Sequence, residues 1–259
     1  MPEFIAHRGA SWLAPENTMA SIQLAWEMQV DAVEFDVFIT ADNEIVVFHD
    51  SNLNRITGVD ELIEEKTLEE LKKLDYGQWK SDTWKGESIT TLREALEVTP
   101  RGARVFVDVK SGTEIVKPML EIFDDSGIHM HQIVVIAFSR DVAAKTKKMR
   151  PHVTVLQLQS FRIDEETDTW SPAIESVIDQ AVKDNLDGIN VRFRGPAKDP
   201  KAIKKVREAG LGYYIWTVND LEDAIKATKL GVDGITTDRP VWMKKNLLSH
   251  FGWRLLPNP

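Results

Sequence analysis

The stretch Ala32-Val33-Glu34-Phe35-Asp36-Val37-Phe38, followed a few residues later by Ile45-Val46-Val47-Phe48-His49, holds two strand-like runs with the polar connection Ala41-Asp42-Asn43-Glu44 between them. Parallel neighbours in a sheet need about a dozen connecting residues, so the second run must return antiparallel, as a hairpin. With Asp42-Asn43 as a two-residue turn, Ala41 faces Glu44, and the same register sets Asp36 opposite His49. Their Cβ atoms would then lie within about 5.5 Å. Glu34 and Asp36 are two residues apart and share one face of the strand.

Outward from this hairpin, short β-branched runs alternate with amphipathic segments, the pattern of a parallel sheet with helical crossovers. Strands are expected at 3–7, 32–38, 104–110, 133–138, 153–158, 188–191, 213–218 and 234–237. Helices are expected near 17–28, 92–98, 114–125, 140–149, 171–184, 200–209, 221–229 and 241–248. Eight strands with eight helices give a closed TIM-type (β/α)₈ barrel; a doubly wound open sheet is the alternative. One domain over residues 1–259 is expected. Residues 50–90 break the rhythm, with one helix candidate at 67–74, and imply a small inserted subdomain after the second strand, at about 51–90.

Composition narrows the function classes. The 259 residues are 42% hydrophobic and 28% charged, as in a soluble protein with a sizeable core. No run approaches the roughly 18 apolar residues of a membrane span, and the start lacks a signal peptide's build. There is no cysteine, which fits a reducing compartment and a cytoplasmic location. A net charge of −9 argues against nucleic acid as partner. A small anionic substrate would need a local positive site.

The residue types at the strand ends supply such a site. Asp108 and Lys110 share a face of the 104–110 strand, as Glu34 and Asp36 do of theirs. Three inward carboxylates on neighbouring strands form an oxygen-rich site for a hard cation, Mg²⁺ or Ca²⁺; solvated or salt-bridged strand residues are the plain alternative. The first strand ends His7-Arg8-Gly9. Histidine serves as acid or base at neutral pH, arginine offers a planar fork to phosphate, and Gly9 lets backbone approach a ligand. Asn17 could be simply a helix N-cap.

The ordered set His7-Arg8-Gly9, Pro15-Glu16-Asn17-Thr18, Glu34-x-Asp36, His49-Asp50, Lys110, Trp216-Thr217-Val218-Asn219 and 233–240 (Asp-Gly-Ile-Thr-Thr-Asp-Arg-Pro) resembles the glycerophosphodiester phosphodiesterase family. Each motif is short; their order and spacing, from residue 4 to about 240, are specific. The resemblance implies a TIM barrel that hydrolyses glycerophosphodiesters to glycerol 3-phosphate and an alcohol. His7 and His49 would be the acid–base pair, with either histidine in either role. Glu34 and Asp36 would bind metal, Arg8 and Lys110 would hold the phosphate, and Asn17, Phe138 and Trp216 would contact substrate. One position departs from the family: its usual Glu-x-Lys is here Asp108-x-Lys110. Aspartate keeps the charge but is one methylene shorter, and it is also the third ligand in the similar sphingomyelinase D enzymes, which are disulfide-bonded.

Two other functions stay open: a phospholipase D acting on lysolipids or sphingolipids, which needs an apolar groove at the barrel mouth, and a catalytically inactive phosphodiester-binding protein. His129 and His131 read as surface residues. Gln157, Gln159, Asn190 and Arg192 end strands at the face where barrels bind substrate. Trp79, Trp84 and Trp170 are expected on the rim, and the tail at 250–256 on the barrel or at a homodimer contact.

Overall fold

A computed structural model of the chain describes residues 1–253; Arg254, Leu255 and Leu256 of the tail lie outside them. Among the described residues there are twelve strands: β1 (Glu3–His7), β2 (Ala32–Ile39), β3 (Ile45–Val47), β4 (Thr90–Thr91), β5 (Arg104–Val109), β6 (Ile133–Ala137), β7 (Thr154–Gln159), β8 (Arg162–Asp164), β9 (Thr169–Ser171), β10 (Gly188–Arg192), β11 (Gly212–Trp216) and β12 (Gly234–Thr237). Eight of them, β1, β2, β5, β6, β7, β10, β11 and β12, pair side by side in parallel, and β12 returns to β1 to close a barrel. The longer helices, α1 (Met19–Glu27), α5 (Val116–Asp125), α6 (Arg140–Met149), α7 (Ile174–Lys183), α8 (Pro200–Glu208), α9 (Leu221–Leu230) and α10 (Pro240–Phe251), cover its outside with α4 (Leu92–Glu97). Two short ones, α2 (Asn54–Thr57) and α3 (Leu68–Leu71), lie between β3 and β4.

Alternation along the strands sorts side chains between two cores. Val33, Phe35 and Val37 of β2 and Val105, Val107 and Val109 of β5 face the helices. Their neighbours Ala32 and Phe106 point inward, where Ile5, Val134, Ile136, Leu156 and Leu158 join them under Tyr214 and Trp216. This inner plug fills the barrel toward the N-terminal strand ends and leaves the C-terminal ends for polar groups. Burial of each large apolar side chain stabilises by roughly 1.5–3 kcal/mol.

The 32–49 hairpin is antiparallel as expected, but its register differs. Val37 pairs with Val47 and Ile39 with Ile45, so Asp36 lies opposite Phe48, not His49, and the Phe48 amide donates to the Asp36 carbonyl (2.9 Å). The connection is a three-residue turn, Ala41-Asp42-Asn43, closed by the Thr40 amide bonding to the Glu44 carbonyl. Asn43 takes the left-handed conformation at φ +63° that this turn requires. The Thr40 hydroxyl steadies it by donating to Asp42 Oδ1 (2.6 Å).

Between Asp50 and Ile89 the chain wraps α2, α3 and two 3₁₀ turns around Leu53, Ile56, Ile63, Leu71 and Tyr76. These pack on Phe38, Val46 and Phe48, the far face of the hairpin. The helix expected at 67–74 is shortened to α3, capped by Thr67 and Glu70. Helix α1 begins at Met19, after a capping box made by Thr18 and Ser21. Asn17 is therefore not its N-cap. The helix expected from residue 171 begins at Ile174; Ser171 instead ends β9, which pairs with β8 in an antiparallel hairpin whose Trp170 packs against Gly195.

Candidate active site

Two adjacent strands bring the carboxylates together, and a third sets a histidine beside them. Parallel register sets His7 of β1 beside Glu34 of β2, and Asp36 of β2 beside Asp108 of β5. Oxygen atoms of Glu34, Asp36 and Asp108 lie within 4.8 Å of one another, all buried. Lys110 Nζ reaches Asp108 at 2.6 Å and Asp36 at 2.8 Å. Three carboxylates thus face two cations, Lys110 and Arg8.

The loop after β1 is shaped for this. Arg8 and Gly9 are both left-handed, at φ +57° and +78°, a conformation costly for arginine. A side chain at Gly9 would collide with the Ser21 backbone at 2.6 Å. The turn aims the Arg8 amide at Glu34 Oε2 (2.9 Å) and its guanidinium at Glu16 (2.6 Å) and Asp36 (3.3 Å). Asn17, itself at φ +59°, clasps Asp36: its amide donates to the carboxylate (2.8 Å), and its carbonyl accepts from the Asp36 backbone (3.2 Å). It stands behind Asp36, outside the cavity lining.

Each imidazole is oriented through Nδ1. His7 faces Asp238 Oδ1 at 2.7 Å, and His49 faces Asp50 Oδ1 at 2.6 Å. Asp238 is held in turn by Asn219, which donates to its carboxylate and accepts from its backbone amide. Asp50 accepts from Arg55, whose fork also grips Glu16 (2.7 and 3.1 Å). A continuous chain of contacts therefore runs from Arg8 through Glu16, Arg55 and Asp50 to His49. Asp238 and Arg55 were not among the expected site residues. Asp238, Asp50 and Glu16 stand inside the quoted motifs, which was their one signal, while Arg55 gave none.

His7, Arg8, Glu34, Asp36, His49, Asp108, Lys110, Phe138 and Trp216 line one cavity of about 120 Å³, together with Asn190 and Thr236. Its far wall is apolar: Phe138 and Trp216 meet edge-to-face at 5.7 Å above Ile136 and Leu158. The Gln157 Nε2 donates to backbone carbonyls of Ala137, Phe138 and Leu158 while its Oε1 is buried without a partner, and the Gln159 Nε2 donates to the Ser160 carbonyl. Arg192 is exposed. Trp79, Trp84 and Trp170 do not line the cavity. His129 and His131 stack on each other at 5.4 Å and belong to no ligand cluster among the described residues.

Burial, with Asp36 and Asp108 adding, pushes the Glu34 carboxyl well above the usual range. Burial pushes Asp108 up to about 7, opposed by Lys110 and aided by Asp36. Burial would raise Asp36 too, but Lys110 and Arg8 hold it below the ordinary carboxylate range. His49 is lowered by burial and by Arg8 and Lys110, against Asp36 and Asp50. Asp108 Oδ1 is buried without any hydrogen-bond partner. An orphaned carboxylate oxygen beside two further buried carboxylates is a hard donor set that fits a divalent cation.

Two imidazoles, an acidic centre and the cations Arg8 and Lys110 thus meet at the C-terminal mouth of a (β/α)₈ barrel, the face where barrel enzymes bind substrate. The chain belongs to the glycerophosphoryl diester phosphodiesterase family, whose profile matches residues 7–241. It is 32% identical over 241 residues to a glycerophosphodiester phosphodiesterase of Caldanaerobacter subterraneus subsp. tengcongensis, covering 91% of this chain and 93% of that one. Among solved structures it resembles an Oleispira antarctica phosphodiesterase in complex with the product sn-glycerol-3-phosphate (27% identity, TM-score 0.82, covering 95% and 96%). It also resembles the glycerophosphodiester phosphodiesterase of Thermotoga maritima (26%, TM-score 0.76, covering 95% and 98%). Among the described residues no helix is long and apolar enough to cross a membrane.

Proposed function

We propose that this chain hydrolyses glycerophosphodiesters to sn-glycerol 3-phosphate and an alcohol, with His7 and His49 as the acid–base pair and a divalent metal, Mg²⁺ or Ca²⁺, held by Glu34, Asp36 and Asp108. The observation that carries the reading is the buried carboxylate trio flanked by two imidazoles, each backed by its own carboxylate. When bound, the cation supplies positive charge to the phosphoryl oxygens as they gain negative charge.

The residues of the chain do the rest. Arg8 and Lys110 hold the anionic oxygens and offset the charge that builds on them. His49, kept neutral by burial and nearby cations, accepts the proton of the attacking hydroxyl. His7, held at Nδ1 by Asp238, gives a proton to the departing alkoxide; Asp238 stabilises the His7 imidazolium until that transfer, and Asp50 the His49 imidazolium that forms when the hydroxyl gives up its proton. Phe138 and Trp216 pack on the substrate's carbon skeleton and exclude water.

The test measures glycerol 3-phosphate release from glycerophosphocholine by the parent and by His49→Ala, with and without EDTA. We expect parent activity that EDTA abolishes and a loss of about 10²- to 10⁴-fold in the variant. Activity surviving both treatments overturns the mechanism.

A second reading, hydrolysis of lysophospholipids by a phospholipase D reaction, has one observation in its favour. A groove of about 400 Å³, walled by Trp12, Leu13, Met28, Val241 and Trp242, adjoins the site at Asp238. Choline release from lysophosphatidylcholine faster than from glycerophosphocholine would favour it.

A further inference from the structure

We propose that Asn190 reads the hydroxyl groups of the substrate's glycerol and so sets specificity for glycerol esters; this rests on the phosphodiesterase reading above. The cavity has two halves. Its charged groups come from β1, β2, β5 and the residues that follow them, whereas Ile136, Phe138, Leu158 and Trp216 make the other wall. On that apolar side the polar side chains are Asn190 and Thr236.

Asn190 is 1% exposed, and neither its Oδ1 nor its Nδ2 has a hydrogen-bond partner. A buried amide left wholly unpaired is rare and calls for a partner that arrives with a ligand. Gln157 on the neighbouring strand differs in part: its Nε2 already serves three carbonyls and its Oε1 alone is unpaired, whereas Asn190 has neither atom engaged. A primary amide offers two donors and one acceptor. That inventory matches a vicinal diol, in which each hydroxyl both donates and accepts. With the phosphate against Arg8 and Lys110, the carbon chain would lie on Phe138 and Trp216 and turn its hydroxyls to Asn190. The amide atoms have almost no open surface. The indole of Trp216, anchored to the Asn190 carbonyl (3.2 Å), and the half-exposed Phe138 therefore shift outward as the diol enters.

Calorimetric titration of the whole protein with Mg²⁺ present, using sn-glycerol 3-phosphate and n-propyl phosphate, tests this without turnover. The parent should favour glycerol 3-phosphate by about tenfold or more, and Asn190→Leu should bring the two affinities together. Removing an unpaired buried amide should also raise the Tm of Asn190→Leu. If that variant does not fold, Asn190→Thr carries the same comparison. Equal affinities in the parent, or a preference that survives the substitution, overturns the assignment. If the parent releases glycerol 3-phosphate from glycerophosphocholine yet Asn190 makes no difference, only the Asn190 role falls. If it releases none, both readings fall together.

Discussion

His7 Nδ1 and Asp238 Oδ1 lie 2.7 Å apart although 231 residues separate them in the chain. The contact exists because β12 closes the barrel against β1, bringing the loop after each strand to the same corner. Asp238→Asn should keep the geometry while losing the charge that steadies a protonated His7. We expect kcat to drop about 10- to 100-fold with KM nearly unchanged. Steady-state release of glycerol 3-phosphate measures it, and an unaltered kcat would remove Asp238 from the mechanism.

Arg55 ties Asp50, which orients His49, to Glu16, which orients Arg8. Lysine carries the charge but lacks the planar fork that spans two carboxylates. Arg55→Lys should lower kcat/KM roughly tenfold, because the side chains it aligns would be misplaced. Its stability should stay within about 1 kcal/mol of the parent, since Arg55 is well exposed. Kinetics alongside urea unfolding separate the two effects; a loss of stability with normal kinetics would contradict the positioning role.

The buried carboxyls make stability depend on pH in an unusual direction. Glu34 and Asp108 keep protons to higher pH than ordinary carboxyls do, and Glu3 behaves likewise, pushed up to about 7 by burial, against Arg104 and with Asp31 adding. An unfolded chain releases such protons near pH 4. From there to about pH 7 the folded protein binds more protons than the unfolded one, so stability falls as pH rises. Without metal, Tm should drop by about 5 °C or more between pH 5 and 8. Mg²⁺ should restore more of it at pH 8, where the site carboxyls are ionised. Scanning calorimetry with EDTA or Mg²⁺ decides, and Glu3→Gln removes the part arising outside the site. A Tm that climbs over this range in EDTA would refute the account.

Asn43 sets the hairpin register through its left-handed backbone. Asn43→Gly should change stability by only a few tenths of a kcal/mol. Asn43→Val should cost about 1–2 kcal/mol, as a β-branched residue resists that conformation. Equal unfolding midpoints for the two variants would show that the turn does not constrain the register.

The barrel strands were legible because both of their faces are buried, so β1 and β12 occupy the very ranges, 3–7 and 234–237, that β-branched runs mark. The β8–β9 hairpin escaped because Arg162-Ile163-Asp164 and Thr169-Trp170-Ser171 are mostly exposed and carry no apolar run. The register of the 32–49 hairpin turned on one backbone angle at Asn43, with no glycine to advertise it. The carboxylate trio could be read because a spacing of two on a strand fixes a shared face. The partners of the histidines could not: Asp238 reaches His7 only once the barrel has closed, and Arg55 reaches Asp50 and Glu16 from an irregular segment whose path no periodicity predicts.

The pairing of β1 with β12 also has a temporal meaning. Residues 234–237 leave the ribosome long after residues 3–7, and until they dock, the first strand lacks one neighbour and His7 lacks its aspartate. The acidic trio draws on residues 34 to 108, whereas the His7–Asp238 contact must wait for a residue 130 positions further along the chain.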